Sequence, residues 1–428
     1  MRRVNLPREL PRTASPAVDV LAGTARVEPT ALGIEHLSRL LHLSAGIVRT
    51  AEGRYGTFLF RAAGSAGGRF PLELYVAVPE GTALPPGEHW YHPEEHALVP
   101  VAPPPLGEAP ALVVTGIPWR TGWRYRERGY RHIYWDAGTM LSQFLAAADS
   151  AGIAARLYTR FPDADVAALV GADRVHEWPL AVVALGAAPA LAATGAAIAG
   201  AIAEDPVDFP LVTAAQRAGE CDSLGPAWDR GAAVEAVAGA AMPVEDVIVA
   251  RSSQRLFDRA RSLPSHVFET SLHVGLRGVT LPHRVAVNAV DGYAPGLYRW
   301  PDLTRPARAG ALRRELYSVC AEQGLPRDAA FVVVAAARIA ELGDIEYREA
   351  HLGAGLVEGR LHLLAYAFGA GASGMAFYDS DVTTFLGEPL DGLLITCVGV
   401  PEYRPKPGGP PGAPTPIREV RTRVDDEP

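Results

Sequence analysis

The stretch that decides the fold is GYRHIYWDAG, residues 129–138, because the chain repeats its outline in EYREAHLGAG, residues 346–355. Tyr130-Arg131 precedes Ala137-Gly138, and Tyr347-Arg348 precedes Ala354-Gly355 at the same spacing, 217 residues later. The same offset carries Gly152 onto Gly369. Further out, PLELYVAV from Pro71 parallels PHRVAVNAV from Pro282, and each runs on to a Pro-Gly pair, Pro86-Gly87 and Pro295-Gly296. Both copies close on similar apolar runs, VVALG and ITCVG. Self-similarity at one period is the mark of a duplicated unit. Each unit reads helix, helix, strand, long helix, strand. The long helices are expected at roughly 133–152 and 350–369, each stopping at a glycine, the residue that most readily takes the left-handed turn after a helix.

The fold class that follows is α+β: two tandem units, each a small mixed sheet flanked by helices, joined across a helical interface as an internal pseudo-dimer. The units are placed at 1–186 and 243–403. An Ala-, Gly- and Pro-rich linker joins them over 187–242, and the tail 404–428, with PKPGGPPGAP, is flexible or wraps over the other copy.

With 428 residues, 48% of them apolar, the chain can build two full cores. A net charge of −8 and a pI near 5.9 argue against a nucleic-acid partner, whose phosphates need a basic surface. Cys221, Cys320 and Cys397 are too scattered for a disulfide framework or a cysteine metal site, which fits a reducing cytoplasm. The opening MRRVNLPREL lacks the apolar run of a secretory leader. The apolar stretch 184–203 contains Pro189 and is mostly Ala and Gly, so it reads as a small-residue helix after a strand, and no membrane is expected. Lys406, in the tail, is the only lysine, so none serves a folded region as base or phosphate ligand. His89, His92 and His96 cluster in EHWYHPEEH, but this acidic run broken by proline reads as a surface loop, and no metal is expected.

Two motifs carry chemistry. In VEDVIVARSSQRLF, residues 244–257, Arg251 and Arg255 bracket Ser252 and Ser253. Guanidinium forks match phosphate oxygens, although arginine near a helix C-terminus is also what the helix dipole favours. GAGASG, residues 369–374, has the form G-x-G-x-x-G. The dinucleotide motif follows a strand and opens a helix. This one follows the apolar run GLVEGRLHLLAYAF and closes a helix, where small residues let a ring lie against the backbone.

The first motif resembles the R-x-S-x-R signature of the nitroreductase superfamily. That resemblance implies an FMN cofactor, with Arg251, Ser252, Ser253 and Arg255 on its phosphate and ribityl chain and Gly371, Ala372 and Ser373 at the polar edge of its ring. The run FRAAGSAGGRFPLELYVAV, residues 60–78, resembles the R-x-x-P-S-x-G-x-x-x-P-x-E-x-Y stretch of the azoline dehydrogenases, the thiazole/oxazole oxidases of ribosomal peptide pathways, with Gly64 where that branch carries proline. It implies that Arg61, Ser65, Ala66 and Gly67 reach across the interface to a flavin held mainly by the other unit. Near an offset of 210, Arg251 and Arg255 fall on Leu41 and Ala45, and at the offset of 217 GAGASG falls on residues 152–157. One composite site thus keeps its parts while its mate has lost them.

The branch also carries a Lys-Tyr pair before the long helix, and Arg124-Tyr125 stands in the matching place. Guanidinium is a poor base but lowers the pKa of a neighbouring tyrosine. Tyr125 is therefore the candidate base, tuned by Arg124, that takes a ring proton while hydride leaves for the flavin. The implied function is FMN-dependent dehydrogenation of an azoline or amino-acid unit. The substrate is a peptide or small molecule, and a peptide-modifying enzyme is the implied partner. Two alternatives stay open: an NAD(P)H-dependent nitroreductase or quinone reductase, and an inactive pseudo-dimer that binds a peptide or partner.

Overall fold

A computed structural model describes residues 3–54, 56–186 and 205–420. The first part of the chain forms β1 (Val4–Asn5), α1 (Ala17–Ala22), α2 (Ile34–Ala45), β2 (Ile47–Gly53), β3 (Gly56–Arg61), β4 (Leu72–Val78), β5 (Gly87–His92), β6 (Ala97–Ala102), β7 (Ala111–Gly116), α3 (Trp119–Tyr125), α4 (Gly129–Ser150), β8 (Ala155–Tyr158), α5 (Asp163–Val170) and β9 (Trp178–Leu185). After α6 (Pro210–Ala218) come α7 (Val244–Ala250), α8 (Ser265–Gly275), β10 (His283–Val287), β11 (Gly296–Arg299), β12 (Arg308–Ala309), α9 (Arg313–Val319), α10 (Gly324–Asp328), β13 (Phe331–Ala337), α11 (Asp344–Ala367), β14 (Gly371–Met375), α12 (Asp379–Leu386), β15 (Asp391–Gly399) and β16 (Thr415–Pro416).

The strands form two main sheets, ordered β1-β6-β5-β4-β7-β9-β8 and β12-β11-β10-β13-β15-β14. The expected mixed sheets are in fact antiparallel throughout, because β4, β5 and β6 fold as successive hairpins and α4 and α11 each return the chain to an antiparallel edge strand. The hairpin β5–β6 also corrects the reading of the histidine cluster as a surface loop. His89 and His96 are buried there, and the His96 ring meets the Ser38 and Tyr91 hydroxyls at 2.7 and 2.9 Å. Central strands such as β13 (FVVVAAA) are buried on both faces, which explains their unbroken apolar runs.

The long helices run from 129 to 150 and from 344 to 367, starting earlier than expected, and each is followed by a left-handed glycine, Gly152 (φ 69°) and Gly369 (φ 73°). They cross in contact between the two sheets. A Cβ on Gly138 would overlap the Leu352 carbonyl oxygen, and one on Gly355 would overlap the Trp135 carbonyl oxygen. These are one contact read from its two sides, since both pairs of positions differ by 217. The Tyr130 and Tyr347 rings stack at 6.1 Å beside this crossing, and Trp135 Nε1 donates to His351 Nδ1 at 2.9 Å. Reciprocity recurs between α1 and α7: Ala17 N–H donates to Met242 O, and Val244 N–H to Ser15 O.

The tail wraps over the first part of the chain. Gly409 N–H donates to Val48 O, Ile417 N–H donates to Thr50 O, and β16 pairs parallel to β2. Residues 421–428 lie outside the described residues, as do residues 187–204, which hold nearly all of the expected small-residue helix and the first part of the linker. Among the described residues no helix is long and apolar enough to cross a membrane.

Because the α4–α11 contact is backbone on backbone, side-chain rotation cannot relieve a new methyl group there. Gly138→Ala and Gly355→Ala are each expected to destabilise the protein by about 1–3 kcal/mol or more. Gly239→Ala, whose Cβ would meet nothing within 4 Å, should stay within about 0.5 kcal/mol. Denaturant midpoints of the three variants check the ranking.

Candidate active site

The short helix α7 starts after Pro243, carries Glu245 and Asp246 in its first turn, and ends where Arg251 turns the chain extended. Its last carbonyls have no partners within the helix. Arg49 of β2 supplies them, donating to Val249 O at 2.5 Å and Arg251 O at 2.9 Å, while its Nε donates to Lys406 O in the tail at 2.8 Å. The following residues run beside β14: Gln254 N–H donates to Ala372 O at 2.9 Å, and Ser253 bridges Ala372. The Arg251 side chain is buried. It donates from Nη2 and Nε to Ala62 O, at 2.7 and 3.3 Å, and its buried Nη1 has no hydrogen-bond partner among the described residues. That Nη1 lies 3.3 Å from where a Cβ on Gly64 would stand. Burial lowers its pKa, yet a guanidinium remains charged. A buried cation with a spare donor at a glycine-lined edge is suited to an anionic group.

The loop between β3 and β4 covers this arginine. Ser65 Oγ donates to Asp136 Oδ2 at 2.5 Å and accepts from Phe70 N–H, and Ala66 N–H donates to Asp136 Oδ1 at 2.9 Å. Gly67 takes φ 60°, and a Cβ there would overlap the Tyr125 hydroxyl. Tyr125 ends α3 rather than starting the long helix, and its ring stacks on His132 at 4.2 Å. Arg124 is exposed, 5.7 Å from the Tyr125 ring. A small pocket beneath the loop is lined by Ser44, Arg61, Gly64, Phe70, Asp136 and Met140.

The residues expected from the sequence therefore divide. Arg251, Ser253, Ala372, Gly64, Gly67 and Tyr125 draw together around the loop. Ser65 and Ala66 lie there too, but their donors are taken by Asp136, so they hold the loop in place. Arg61 donates to Leu72 O at 2.7 Å and faces Glu73 at 3.7 Å, which fixes the base of the loop. Arg255 is exposed beside Tyr403, apart from Arg251. The first-unit counterpart of Arg251 also moves: α7 matches α1, so the position is Thr24, not Leu41 of α2.

Sequence reasoning missed the carboxyls. Asp136 of α4 is the charged member of the otherwise apolar stretch 133–138, a signal that could have found it, whereas Glu358 of α11 sits two residues before Arg360 and carries no such signal. Glu358 presses against the backbone of Gly374, accepts from Thr139 Oγ1 at 3.2 Å, and stands 3.6 Å from Nε2 of the buried His362. Burial pushes both carboxyls up to about 7; the bonds from Ser65 and Ala66 oppose this for Asp136, and Thr139 and the Arg251 charge oppose it for Glu358. Burial and the Arg251 charge push His362 down to about 3.

A carboxyl whose pKa is higher folded than unfolded stabilises the fold most below its unfolded value, roughly 4, and this stabilisation disappears as pH rises through 7. Each tenfold change in proton affinity is worth about 1.4 kcal/mol. Asp136→Asn should therefore flatten the fall in Tm between pH 5 and pH 8 relative to the parent chain. Equal slopes would show that Asp136 titrates normally.

Residues 35–187 match the nitroreductase family. The chain is 25% identical over 170 residues to a protein of Methanocaldococcus jannaschii named as a nitroreductase, which spans 36% of this chain and 81% of that relative. A crystal structure from Anabaena variabilis, likewise named as a nitroreductase, superposes with a TM-score of 0.70 at 23% identity, covering 92% of this chain and 93% of the other. Residues 35–187 thus carry a nitroreductase-family domain, and the chain shares the fold of the Anabaena protein over nearly its whole length.

Proposed function

We propose that the protein is an FMN-dependent oxidoreductase whose two nitroreductase-like units, 1–186 and 243–403, joined by the linker 187–242, form an internal pseudo-dimer with one cofactor site between them. The observation that carries this reading is the buried, unpartnered Nη1 of Arg251, which the second unit supplies beneath the glycine loop of the first. Arg251, with Ser252 and Ser253, would hold the phosphate end. The backbone of Gly371, Ala372 and Ser373 would take the polar edge of the ring, and Gly64 and Gly67 would let the opposing loop approach it. FMN, when bound, supplies a two-electron acceptor. The chain neutralises the phosphate charge through Arg251, fixes the loop through Asp136, and presents the Tyr125 hydroxyl beside Gly67.

The substrate class comes from the resemblance of residues 61–75 to the azoline dehydrogenases: an azoline ring within a peptide, delivered by the enzyme that forms it, with Tyr125 taking the ring proton. Bleaching of bound flavin by NAD(P)H would instead favour a nitroreductase or quinone reductase, and a chain that takes up no flavin would favour a binding protein.

Flavin released by denaturation should approach one per chain. Arg251→Ala removes charge-assisted bonds worth about 1.5–3 kcal/mol, so FMN should bind about 10- to 150-fold more weakly by titration. Arg255→Ala should lose less, because that side chain is exposed, and Arg156→Ala in β8 should lose nothing measurable. Tyr125→Phe should keep its flavin and lose turnover by about 10²–10⁴, the usual contribution of a positioned base. Full turnover in that variant would move the base elsewhere in the cleft.

A further inference from the structure

The element order gives every wall of the proposed cofactor site a counterpart. The turn after α7 corresponds to the turn after α1, β14 to β8, and the loop over Arg251 to the loop after α8. On the long helices, Tyr366 corresponds to Asp149 and Asp136 to Gly353, each pair 217 residues apart. These counterparts bound a second cleft, and the chain itself runs through it.

Segment 225–234 touches all of its walls. Trp228 N–H donates to Leu157 O of β8 at 2.7 Å. The Trp228 ring lies 3.4 Å from where a Cβ on Gly353 would stand, beside Val279, the nearest neighbours of that position. Arg230 pairs with Asp149, with Nη1 donating to Oδ1 at 2.9 Å. The backbone of Gly231 (φ 72°) packs on Gly278, where a Cβ on Gly231 would come within 2.6 Å of the Gly278 nitrogen, and Gly231 O accepts from Arg277 at 3.1 Å. Val234 N–H donates to Ala22 O of α1 at 3.0 Å, and Gly225 N–H to Arg160 O at 3.0 Å.

We propose that segment 225–234 is an internal plug: the chain fills the counterpart of its own cofactor cleft with the indole of Trp228 and the guanidinium of Arg230, which leaves one cleft per chain open to flavin. Naming the first cleft a flavin site rests on the function proposed above; the seating of the segment does not. The contacts are of the kind a bound ligand makes. A flat ring lies against a helix glycine, a cation meets the one carboxylate of that wall, and main-chain bonds run to the strand edge. Two left-handed or close-packed glycines, Gly231 and Gly278, allow the backbones to approach. Thr24 stands in the place of Arg251, the Arg277 guanidinium beside Gly23 is taken up by Gly231 O, and the plug removes the space.

The test uses the full chain. Trp228→Gly should leave an indole-shaped hole, lower Tm by a few degrees, and regain much of that loss in millimolar indole, since apolar cavities of this kind accept matching ligands. The parent chain should not respond to indole. An unchanged Tm with no response to indole would overturn the proposal. Should the variant fail to fold, hydrogen exchange on the parent chain decides: the amides of Trp228 and Val234 should exchange on the order of a hundredfold slower than an open loop. Exchange at the open-loop rate would overturn the plug, as would two flavins per parent chain. A parent chain that binds no flavin but shows slow exchange, together with indole rescue of Trp228→Gly, would instead sink the cofactor reading and leave the plug standing.

Discussion

The contact of α4 with α11 is the constraint on which the other parts of the structure hang. Helices usually pack with their axes 8–10 Å apart because side chains intervene. Here backbone meets backbone at Gly138 and Gly355, and at Gly359 the small Ser142 side chain comes against the helix. Each long helix is thereby fixed against the other to within a fraction of an ångström. Asp136 and Glu358, which project from opposite helices into one site, are fixed with them. The loop over Arg251 is tied to Asp136, and β14 lies against Glu358. Both walls of the cleft are therefore referenced to the same crossing, although they come from distant parts of the sequence.

If the crossing bounds two clefts, as proposed above, the chain treats them differently. On one side a buried guanidinium has a donor left over. On the other, residues between α6 and α7 enter the cleft and make the bonds themselves. The difference begins at a few positions. Thr24 stands where Arg251 stands, and β8 carries Arg156 and Leu157 where β14 carries the small residues of GAGASG. Seating the Trp228 ring there buries apolar surface that would otherwise stay wet, which is favourable by about 25 cal/mol for each Å².

The self-similarity of the sequence is clearest at positions that packing constrains. Tyr130 and Tyr347 stack on one another, Gly138 and Gly355 face each other's helices, and Gly152 and Gly369 both take the left-handed turn, so the spacing of 217 survives there. It does not hold elsewhere. Pro16 and Pro243, which bridge each other ahead of α1 and α7, lie 227 apart, while Pro71 and Pro282 ahead of β4 and β10 lie 211 apart. The hairpin β2–β3 accounts for the drift, for it lies between α2 and β4 and has no equivalent between α8 and β10. A single offset near 210 therefore matched Arg251 with Leu41, in the wrong helix. The antiparallel order of the sheets and the burial of His89 and His96 were hidden for a different reason: strand pairing is a long-range property that local alternation does not encode. Asp136 and Glu358 were passed over because the groups that meet them, Ser65 and Ala66 for one and Thr139 for the other, are brought to them only by the fold.

The same geometry bears on which groups can carry protons. The hydroxyl of Tyr125 lies beside the loop glycine and its ring is pinned on His132, while the neighbouring Arg124 points to solvent, where its charge is screened. Around the loop, the groups that burial pushes up to about 7 are the carboxyls Asp136 and Glu358; Asp136 is engaged by two donors from the loop, whereas Glu358 accepts from the Thr139 hydroxyl and lies against β14. A carboxyl near pH 7 that adjoins an arginine changes the local charge whenever it gains or loses a proton. Binding of an anion at Arg251 would draw a proton onto Glu358, since an added negative charge raises a neighbouring carboxyl's pKa. On the function proposed above, the hold on an anion and the protonation of the cleft would therefore be coupled through these two side chains, one from the turn after α7 and one from α11.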